Sequence, residues 1–186
     1  FERHTPAKPL KMEYLKSLAP EERGISALRE VQSATLEVVP NTGMGVSIDI
    51  GDHSDIHPAN KQDLAYRMAK EAMRLAYGYK GVTSGPAFKS VKFSDGKARI
   101  SFTGTGSGLV VRGDKLNCFA IAGKDGKFVW ADAVLDGNTV VVTSGKVKDP
   151  VAVRYAWAAY PVDPNLYNKE GFPAVPFRTD IPEYIK

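Results

Sequence analysis

The pattern of apolar and polar residues is clearest in two adjacent runs. Met44–Ile50 alternates between apolar and polar side chains, which predicts a β-strand. From Pro58 to about Tyr77, apolar residues recur with a period near 3.6, which predicts an amphipathic helix that Gly78 would terminate. The loop Gly51–Pro58 joins the two elements. The apolar stripe of the helix consists of Leu64, Met68, Ala72, Leu75 and Ala76.

Two further helices are predicted upstream of this strand. Apolar residues at helical spacing predict a short helix over Lys11–Leu18 and a second helix from Pro20 to about Gln32. Pro20 would lie in the first turn of its helix, where a missing N–H costs nothing. The order helix, strand, loop, helix is typical of an α/β fold, and we assign residues 1–81 to a domain of this class.

After Gly81 the period of the apolar pattern changes to two. Seven short runs predict β-strands: Ala87–Phe93, Ala98–Thr103, Gly108–Val111, Cys118–Ala122, Phe128–Val134, Thr139–Ser144 and Val151–Trp157. Turn dipeptides such as Asp95-Gly96 and Asp136-Gly137 separate several of them. Strands at this spacing predict an antiparallel β-sandwich, which we assign to residues 82–186. From Pro161 onward no period is visible, and we expect an irregular tail.

Composition narrows the class of protein without identifying it. The chain has 186 residues, of which 43% are hydrophobic and 10% aromatic, as expected for a packed globular protein. The net charge is +4, but the basic residues are spread along the chain, and so we expect no nucleic-acid partner. No apolar run reaches the roughly 20 residues of a membrane span, and so we expect no membrane partner. Cys118 is the only cysteine, which excludes an internal disulfide.

The loop Gly51–Pro58 contains the residues best suited to chemistry. His57 follows Asp55 by two positions and Asp52 by five, so either carboxylate could hold one nitrogen of the imidazole while the other takes up a proton. Other interpretations stay open. Asp55 could instead cap the following helix, or the loop could simply be solvated. His53, Asp55 and His57 could also bind a metal ion, although no further His and no Cys pair lies nearby.

The chain contains no recognisable serine nucleophile. A Gly-x-Ser-x-Gly elbow and a Gly-Asp-Ser triplet are both absent. Ser54 is too close in sequence to His57 for the usual arrangement, and Cys118 lies in an apolar run typical of a buried thiol. The run Gly104–Gly108 lacks the Gly-Lys-Ser/Thr ending of a phosphate loop, and we interpret it as a connection between strands. If His57 is a catalytic base, its nucleophile must lie elsewhere.

Residues 41–78, NTGMGVSIDIGDHSDIHPANKQDLAYRMAKEAMRLAYG, closely resemble the histidine-bearing segment of the sialate O-acetylesterases. These are SGNH-type hydrolases related to bacterial acetylxylan esterases. Further blocks that resemble the family are LREVQ, SGPAFKSVKF, FAIAGKDGKFVWADAVLDGNTVVV, PVAVRYAW and NLYNKEGFPAVPFRTD. The resemblance covers about Leu28 to Asp180, and the combination of DIHP with VRYAW is hard to obtain by chance.

The resemblance implies both a fold and a chemistry. The fold would be the C-terminal part of an SGNH-type three-layer α/β hydrolase domain, followed by an antiparallel β-sandwich. The reaction would be hydrolysis of acetyl esters on sugars, typically the 9-O-acetyl group of sialic acid. The family's catalytic serine lies in a Gly-Gln-Ser-Asn-like motif near the start of the hydrolase domain, and this motif is absent here. We therefore expect an N-terminal serine-bearing half of the same protein upstream of Phe1, as the chain's principal partner.

The resemblance matches the family's catalytic His to His57, whereas it matches the catalytic Asp to this chain less directly. SGNH hydrolases usually place the Asp three residues before the His, and that position is Ser54 here. Asp55 is our first choice for the acid and Asp52 our second. The resemblance implies no cofactor and no metal, and the family's substrates imply a periplasmic or extracellular location.

A non-catalytic function is the alternative. In that case the β-sandwich would bind carbohydrate or a partner protein, and the His57 loop would be vestigial. Arg154, Tyr155 and Trp157 alternate along one predicted strand and could present a sugar-binding or carboxylate-binding face, although we favour packing between the two domains. Trp130 has the same two interpretations.

Overall fold

The structure, a computed structural model, describes residues 25–55 and 57–180. In these residues two helices precede the strands: α1 (Ile25–Val38) and α2 (Lys61–Tyr77). The strands are β1 (Ala87–Ser94), β2 (Lys97–Thr103), β3 (Leu109–Val111), β4 (Phe119–Ala122), β5 (Val129–Trp130), β6 (Asp132–Asp136), β7 (Thr139–Thr143), β8 (Ala152–Tyr155), β9 (Leu166–Asn168) and β10 (Phe177–Arg178). Neither of the two described helices has the length and hydropathy that a membrane span requires.

Helix α1 corresponds to the helix predicted from Pro20, but it ends at Val38 rather than near Gln32. The predicted helix Lys11–Leu18 and the predicted start at Pro20 lie outside the described residues. Pro40 follows the last turn closely, as is common after a helix that cannot continue.

Helix α2 begins three residues later than predicted, because Asn60 rather than Pro58 defines its start. The Asn60 side chain accepts a hydrogen bond from the Asp63 backbone N–H at 3.1 Å and donates one to the Asp63 carboxylate at 2.8 Å. This reciprocal pair satisfies groups that a helix N-terminus leaves without partners. The predicted termination at Gly78 is confirmed: Gly78 has a φ of +67°, which glycine adopts without steric cost.

The prediction of a β-strand over Met44–Ile50 is wrong. The segment forms no ladder with any described strand and has no regular secondary structure. Instead it packs along α2, and its glycines permit the close approach. A Cβ atom added at Gly43 would lie 2.8 Å from the Glu71 carboxylate, and one at Gly45 would lie 3.1 Å from Met68 Cγ. An alternating pattern alone does not make a strand when no neighbour supplies the hydrogen bonds.

The described strands form three antiparallel sheets. One has the order β1-β2-β7-β6, the second β10-β8-β4-β5, and the third pairs β3 with β9. Each of the seven predicted runs contains strand structure, but Phe128–Val134 is divided. Ala131 separates β5 from β6, and the two strands enter different sheets. Strands β9 and β10 fall within the tail that was predicted to be irregular.

One large apolar cluster joins the sheets. It contains inward-facing residues of β2, β7 and β6 together with residues of β4, β8 and β10 and of the pair β3–β9. Its largest fully buried side chains include Tyr155, Phe119, Ile100 and Ile121. Burial of this apolar surface is the main favourable contribution to folding of the region. The tail belongs to the same cluster through Leu166, Ala174 and Phe177.

Charged side chains attach α1 to this β region. The Arg29 guanidinium donates to the Ala158 carbonyl at 2.7 Å and to the Ala159 carbonyl at 2.9 Å. Glu30 forms a bidentate pair with Arg178 of β10, with N–O distances of 2.7 and 2.9 Å. Paired hydrogen bonds between a guanidinium and a carboxylate fix orientation as well as distance. The helix is therefore held in a defined position on the β region.

Candidate active site

The loop before α2 places His57 beside Asp55. The His57 Nδ1 atom lies 3.3 Å from Asp55 Oδ1, and the His57 backbone N–H donates to the same oxygen at 2.7 Å. The two side chains are 64% and 58% exposed. An Asp that accepts the backbone N–H two residues ahead closes a tight local turn. This turn places a carboxylate near one nitrogen of an open imidazole, which is the relation of Asp to His in Ser-His-Asp sites.

Asp52 has different partners. Its Oδ1 atom accepts hydrogen bonds from the Ser54 backbone N–H at 2.8 Å and from the Ser54 hydroxyl at 2.7 Å. His53 Nδ1 lies 3.8 Å from the same oxygen. The hydrogen bonds from Ser54 lower the pKa of Asp52, because they favour the charged form of the carboxylate. Among the described residues, these contacts connect Asp52 with Ser54 and His53 rather than with His57.

Asp55 does not cap α2, since Asn60 occupies that position. The alternative in which Asp55 serves as the helix N-cap is therefore wrong, although Asp55 does cap the turn at His57. In the described part of the chain, no three His, Cys, Asp or Glu side chains are grouped closely enough to hold a metal ion.

A buried ion pair joins the segment before the loop to the helix after it. The sequence did not reveal this pair. Arg67 of α2 donates to the two oxygens of Asp49 at 2.6 and 2.7 Å and to the Val46 carbonyl at 2.6 Å. The two side chains are only 7% and 5% exposed. Burial alone would lower the pKa of Arg67, but the hydrogen bond and the charge of Asp49 outweigh it and raise the pKa.

Two tyrosines near the C-terminus contact the loop and the segment that leads into it. The hydroxyl of Tyr167 in β9 donates to Asp49 Oδ2 at 2.8 Å. Burial and the contact with Asp49 raise the pKa of Tyr167 to about 12. The ring of Tyr160 lies edge-on to His53, with ring centroids 6.0 Å apart. A cavity of about 500 Å³ adjoins these contacts and is lined by Tyr160, Tyr167, Arg112 and neighbouring residues of the tail.

Neither Ser54 nor Cys118 is arranged as a nucleophile. The Ser54 hydroxyl donates to Asp52, not to an imidazole. The Cys118 thiol donates to the Val162 carbonyl at 3.0 Å, and burial raises its pKa to about 12. A thiol with so high a pKa is almost entirely un-ionised at neutral pH and therefore unreactive. The interpretation of Cys118 as a buried small side chain agrees with these contacts.

The residues considered for sugar binding are mostly used for packing. Tyr155 is fully buried in the core, and the Arg154 guanidinium lies over the ring of Phe128 and pairs with Asp180. Trp157 is also buried, and the Arg178 guanidinium lies 4.7 Å from the centre of its ring. Trp130 is exposed on β5. These three side chains therefore pack within the β region, whereas packing between two domains stays a prediction.

The network around Asp49 could have been found only in part from the sequence. Arg67 and Glu71 lie four residues apart on the polar side of the predicted helix, and this spacing places them on one face. Nothing in the sequence indicates that this charged face is the buried one. Tyr167 lies 118 residues from its partner Asp49, and no local pattern connects them.

Comparison with known proteins gives these observations a context. Human sialate O-acetylesterase is 31% identical over 157 residues, which cover 75% of this chain and 29% of the human protein. Mouse sialate O-acetylesterase is 30% identical over 162 residues, 77% of this chain and 29% of the mouse protein. No protein-family model matches the chain.

The crystal structure of a carbohydrate acetylesterase from Xanthomonas citri is also similar. It superposes with a TM-score of 0.80 and 49% sequence identity, over 83% of this chain and 36% of that one. The fold of mostly antiparallel sheets with few helices is therefore that of a region of a carbohydrate acetylesterase.

The resemblance inferred from the sequence is confirmed. The chain is similar to the sialate O-acetylesterases and corresponds to a C-terminal portion of such a protein. It spans under a third of the length of the curated relatives that it matches.

Proposed function

We propose that the chain is the C-terminal portion of a carbohydrate O-acetylesterase that uses His57 as its catalytic base. The carrying observation is the position of Asp55 Oδ1, which lies 3.3 Å from His57 Nδ1 while the imidazole remains open to solvent. A catalytic histidine needs this combination, because one ring nitrogen is oriented by a carboxylate and the other must reach the reactants. The similarity to proteins named for esterase activity supports the same conclusion.

The proposed reaction is a two-step transfer of an acetyl group. His57 takes the proton of a serine hydroxyl as the serine oxygen attacks the acetyl carbonyl, and then gives that proton to the departing sugar oxygen. Water hydrolyses the resulting acetyl-serine, again with His57 as the base. Asp55 orients the imidazole and stabilises its charged form, and Asp52 is the second candidate for this role. The scheme requires no cofactor.

The serine is proposed to come from an N-terminal half of the same protein. In this arrangement residues 1–81 form the end of an SGNH-type three-layer α/β hydrolase domain, and residues 82–186 form a β-sandwich attached to it. Among residues 25–55 and 57–180, Met44–Ile50 has no ladder partner, which supports this proposal, since a neighbouring strand from the upstream half would supply one. The residues of this segment are half-buried or exposed rather than fully covered.

The proposed substrate is an O-acetylated sugar, with the 9-O-acetyl ester of sialic acid as the first compound to test. Such substrates would place the protein in the periplasm or outside the cell. The non-catalytic alternative, a carbohydrate-binding or interaction module, predicts that substitution of His57 has no consequence.

The test is release of acetate from O-acetylated sialic acid and from an aryl acetate by the full-length protein. We expect His57→Ala to reduce kcat by at least about 10³-fold, because the substitution removes the only proposed proton acceptor. His53→Ala is the matched control, since it removes a histidine of the same loop that the scheme does not use as a base, and it should retain far more activity than His57→Ala. Equal activities of His57→Ala and wild type would exclude His57 as the base.

A further inference from the structure

The two ends of the His57 loop are joined through side chains outside the loop. Asp49 lies two residues before the loop, and Arg67 lies in the second turn of the following helix. Their bidentate contact, with N–O distances of 2.6 and 2.7 Å, closes a ring of chain that contains His57. Both side chains are buried, and a buried ion pair tolerates little change in geometry, because each charge depends on the other.

Tyr167 connects this closed ring to the β region. Its hydroxyl donates to Asp49 Oδ2 at 2.8 Å. Its backbone is fixed in β9, where Tyr167 is paired with Val110 of β3, and the Arg112 guanidinium covers its ring at 3.8 Å. The strand pair therefore fixes the backbone of Tyr167, and the Arg112 guanidinium restricts the position of its ring. Because burial and Asp49 raise its pKa to about 12, the phenol remains a proton donor over the range in which enzymes usually work.

A second contact joins Tyr160, the residue just before the tail, to the loop. The Tyr160 ring lies edge-on to His53, and a Cβ atom added at Gly51 would lie 3.9 Å from that ring. The loop thus contacts Tyr160 through His53, and the segment that leads into the loop is anchored to the tail through Asp49. The β region, which supplies none of the proposed catalytic side chains, is in contact with the element that carries them.

We propose that Tyr167 is a positioning residue for His57. The Tyr167 hydroxyl fixes Asp49 and thereby the segment that leads into the catalytic loop. The inference rests on the proposed esterase function. It assigns the β region a part in catalysis that a separate binding module would not have. Small displacements of a catalytic group cost large factors in rate, because the reacting atoms must lie within a narrow range of distances.

The test compares Tyr167→Phe with Tyr66→Phe in the full-length protein. Tyr167→Phe removes only the hydroxyl that reaches Asp49, and we expect kcat to fall about tenfold while KM changes by less than about twofold. Tyr66 lies on α2, its ring stacks on Phe172, and among the described residues its hydroxyl has no hydrogen-bond partner. Tyr66→Phe should therefore leave both constants unchanged.

Amide hydrogen exchange at Ser54 and His57 provides a second readout that does not depend on activity. We expect exchange at these amides to accelerate in Tyr167→Phe and to stay unchanged in Tyr66→Phe. Unchanged exchange, or a higher KM with the same kcat, would overturn the positioning role. The esterase proposal fails if the wild type releases no acetate or if His57→Ala is fully active. In either case the amide exchange rates still decide whether Tyr167 fixes the loop.

Discussion

At the scale of single residues, the two carboxylates of the loop are distinguished by what they bind. Asp55 lies against Nδ1 of His57, whereas Asp52 accepts two hydrogen bonds from Ser54. Asp55→Asn should therefore lower kcat by about 10³-fold or more, because an amide cannot stabilise the charged imidazole as a carboxylate does. Asp52→Asn should change kcat by less than about threefold. Steady-state rates of acetate release measure both.

The reverse result would assign the acid to Asp52. In that case the loop would have to rearrange on assembly with the serine-bearing half, since Asp52 now contacts Ser54 and His53. Reduced rates in both variants, with the melting temperature unchanged, would mean that the two carboxylates act together.

The sequence identified the loop because its chemistry is local. His57, Asp55 and Asp52 lie within six residues, and a short loop keeps such residues close in any fold. The supporting residues are different. Tyr167 is brought to Asp49 only by folding of the whole chain, and a tyrosine in an aperiodic tail carries no signal of that contact.

At the scale of elements, helix α2 buries its charged side. Glu71 and Arg67 are its buried residues, while Met68 of the predicted apolar stripe is 58% exposed. Glu71 accepts hydrogen bonds from Arg74 and from the hydroxyl of Thr83. A buried carboxylate with such partners contributes to stability only as long as it stays charged.

The pH dependence of stability follows from the pKa of Glu71. Burial would raise this pKa, but the hydrogen bonds from Arg74 and Thr83 outweigh burial and lower it. The carboxylate therefore stabilises the fold above its unfolded pKa of 4.5, and the contribution is lost as pH falls through the lower folded value. Glu71→Gln should reduce the free energy of unfolding by about 1–3 kcal/mol at pH 7 and flatten its decline below pH 4.5.

Urea unfolding at several pH values tests this expectation. Glu37→Gln is the matched control, because Glu37 is an exposed residue of helix α1 and should change stability by less than about 0.5 kcal/mol. An equally small effect of Glu71→Gln at pH 7 would show that the Glu71 contacts do not stabilise the fold.

The elements that the sequence predicted well are those with a strong local pattern. Strand β2 alternates over all seven of its residues and β1 over Ser90–Ser94, and Asp95-Gly96 defines the turn between them with positive φ at both residues. Strands β9 and β10 have only three and two residues, too few for any period. Their partners in β3 and β8, distant in sequence, make them strands.

At the scale of the whole molecule, the distribution of charge and apolar surface is unusual. Polar contacts such as Glu30–Arg178 and Asp49–Tyr167 join the N-terminal elements to the β region, whereas apolar side chains of α2 point outward. A monomeric protein rarely leaves an apolar helix face uncovered. The proposed serine-bearing half would cover this face, and the β region would then be held to it through α2 and the His57 loop.

Met68→Glu in the full-length protein tests whether the outward face of α2 is an internal contact of the esterase. Met68 is 58% exposed in this chain, and Val134 on β6, at 59%, is the matched control. A glutamate buried by the upstream half would lose its hydration, so Met68→Glu should lower the melting temperature by several degrees and reduce acetate release. Val134→Glu should do neither. Equal melting temperatures and rates for the two variants would mean that the face stays open to solvent, and that the serine-bearing half docks elsewhere.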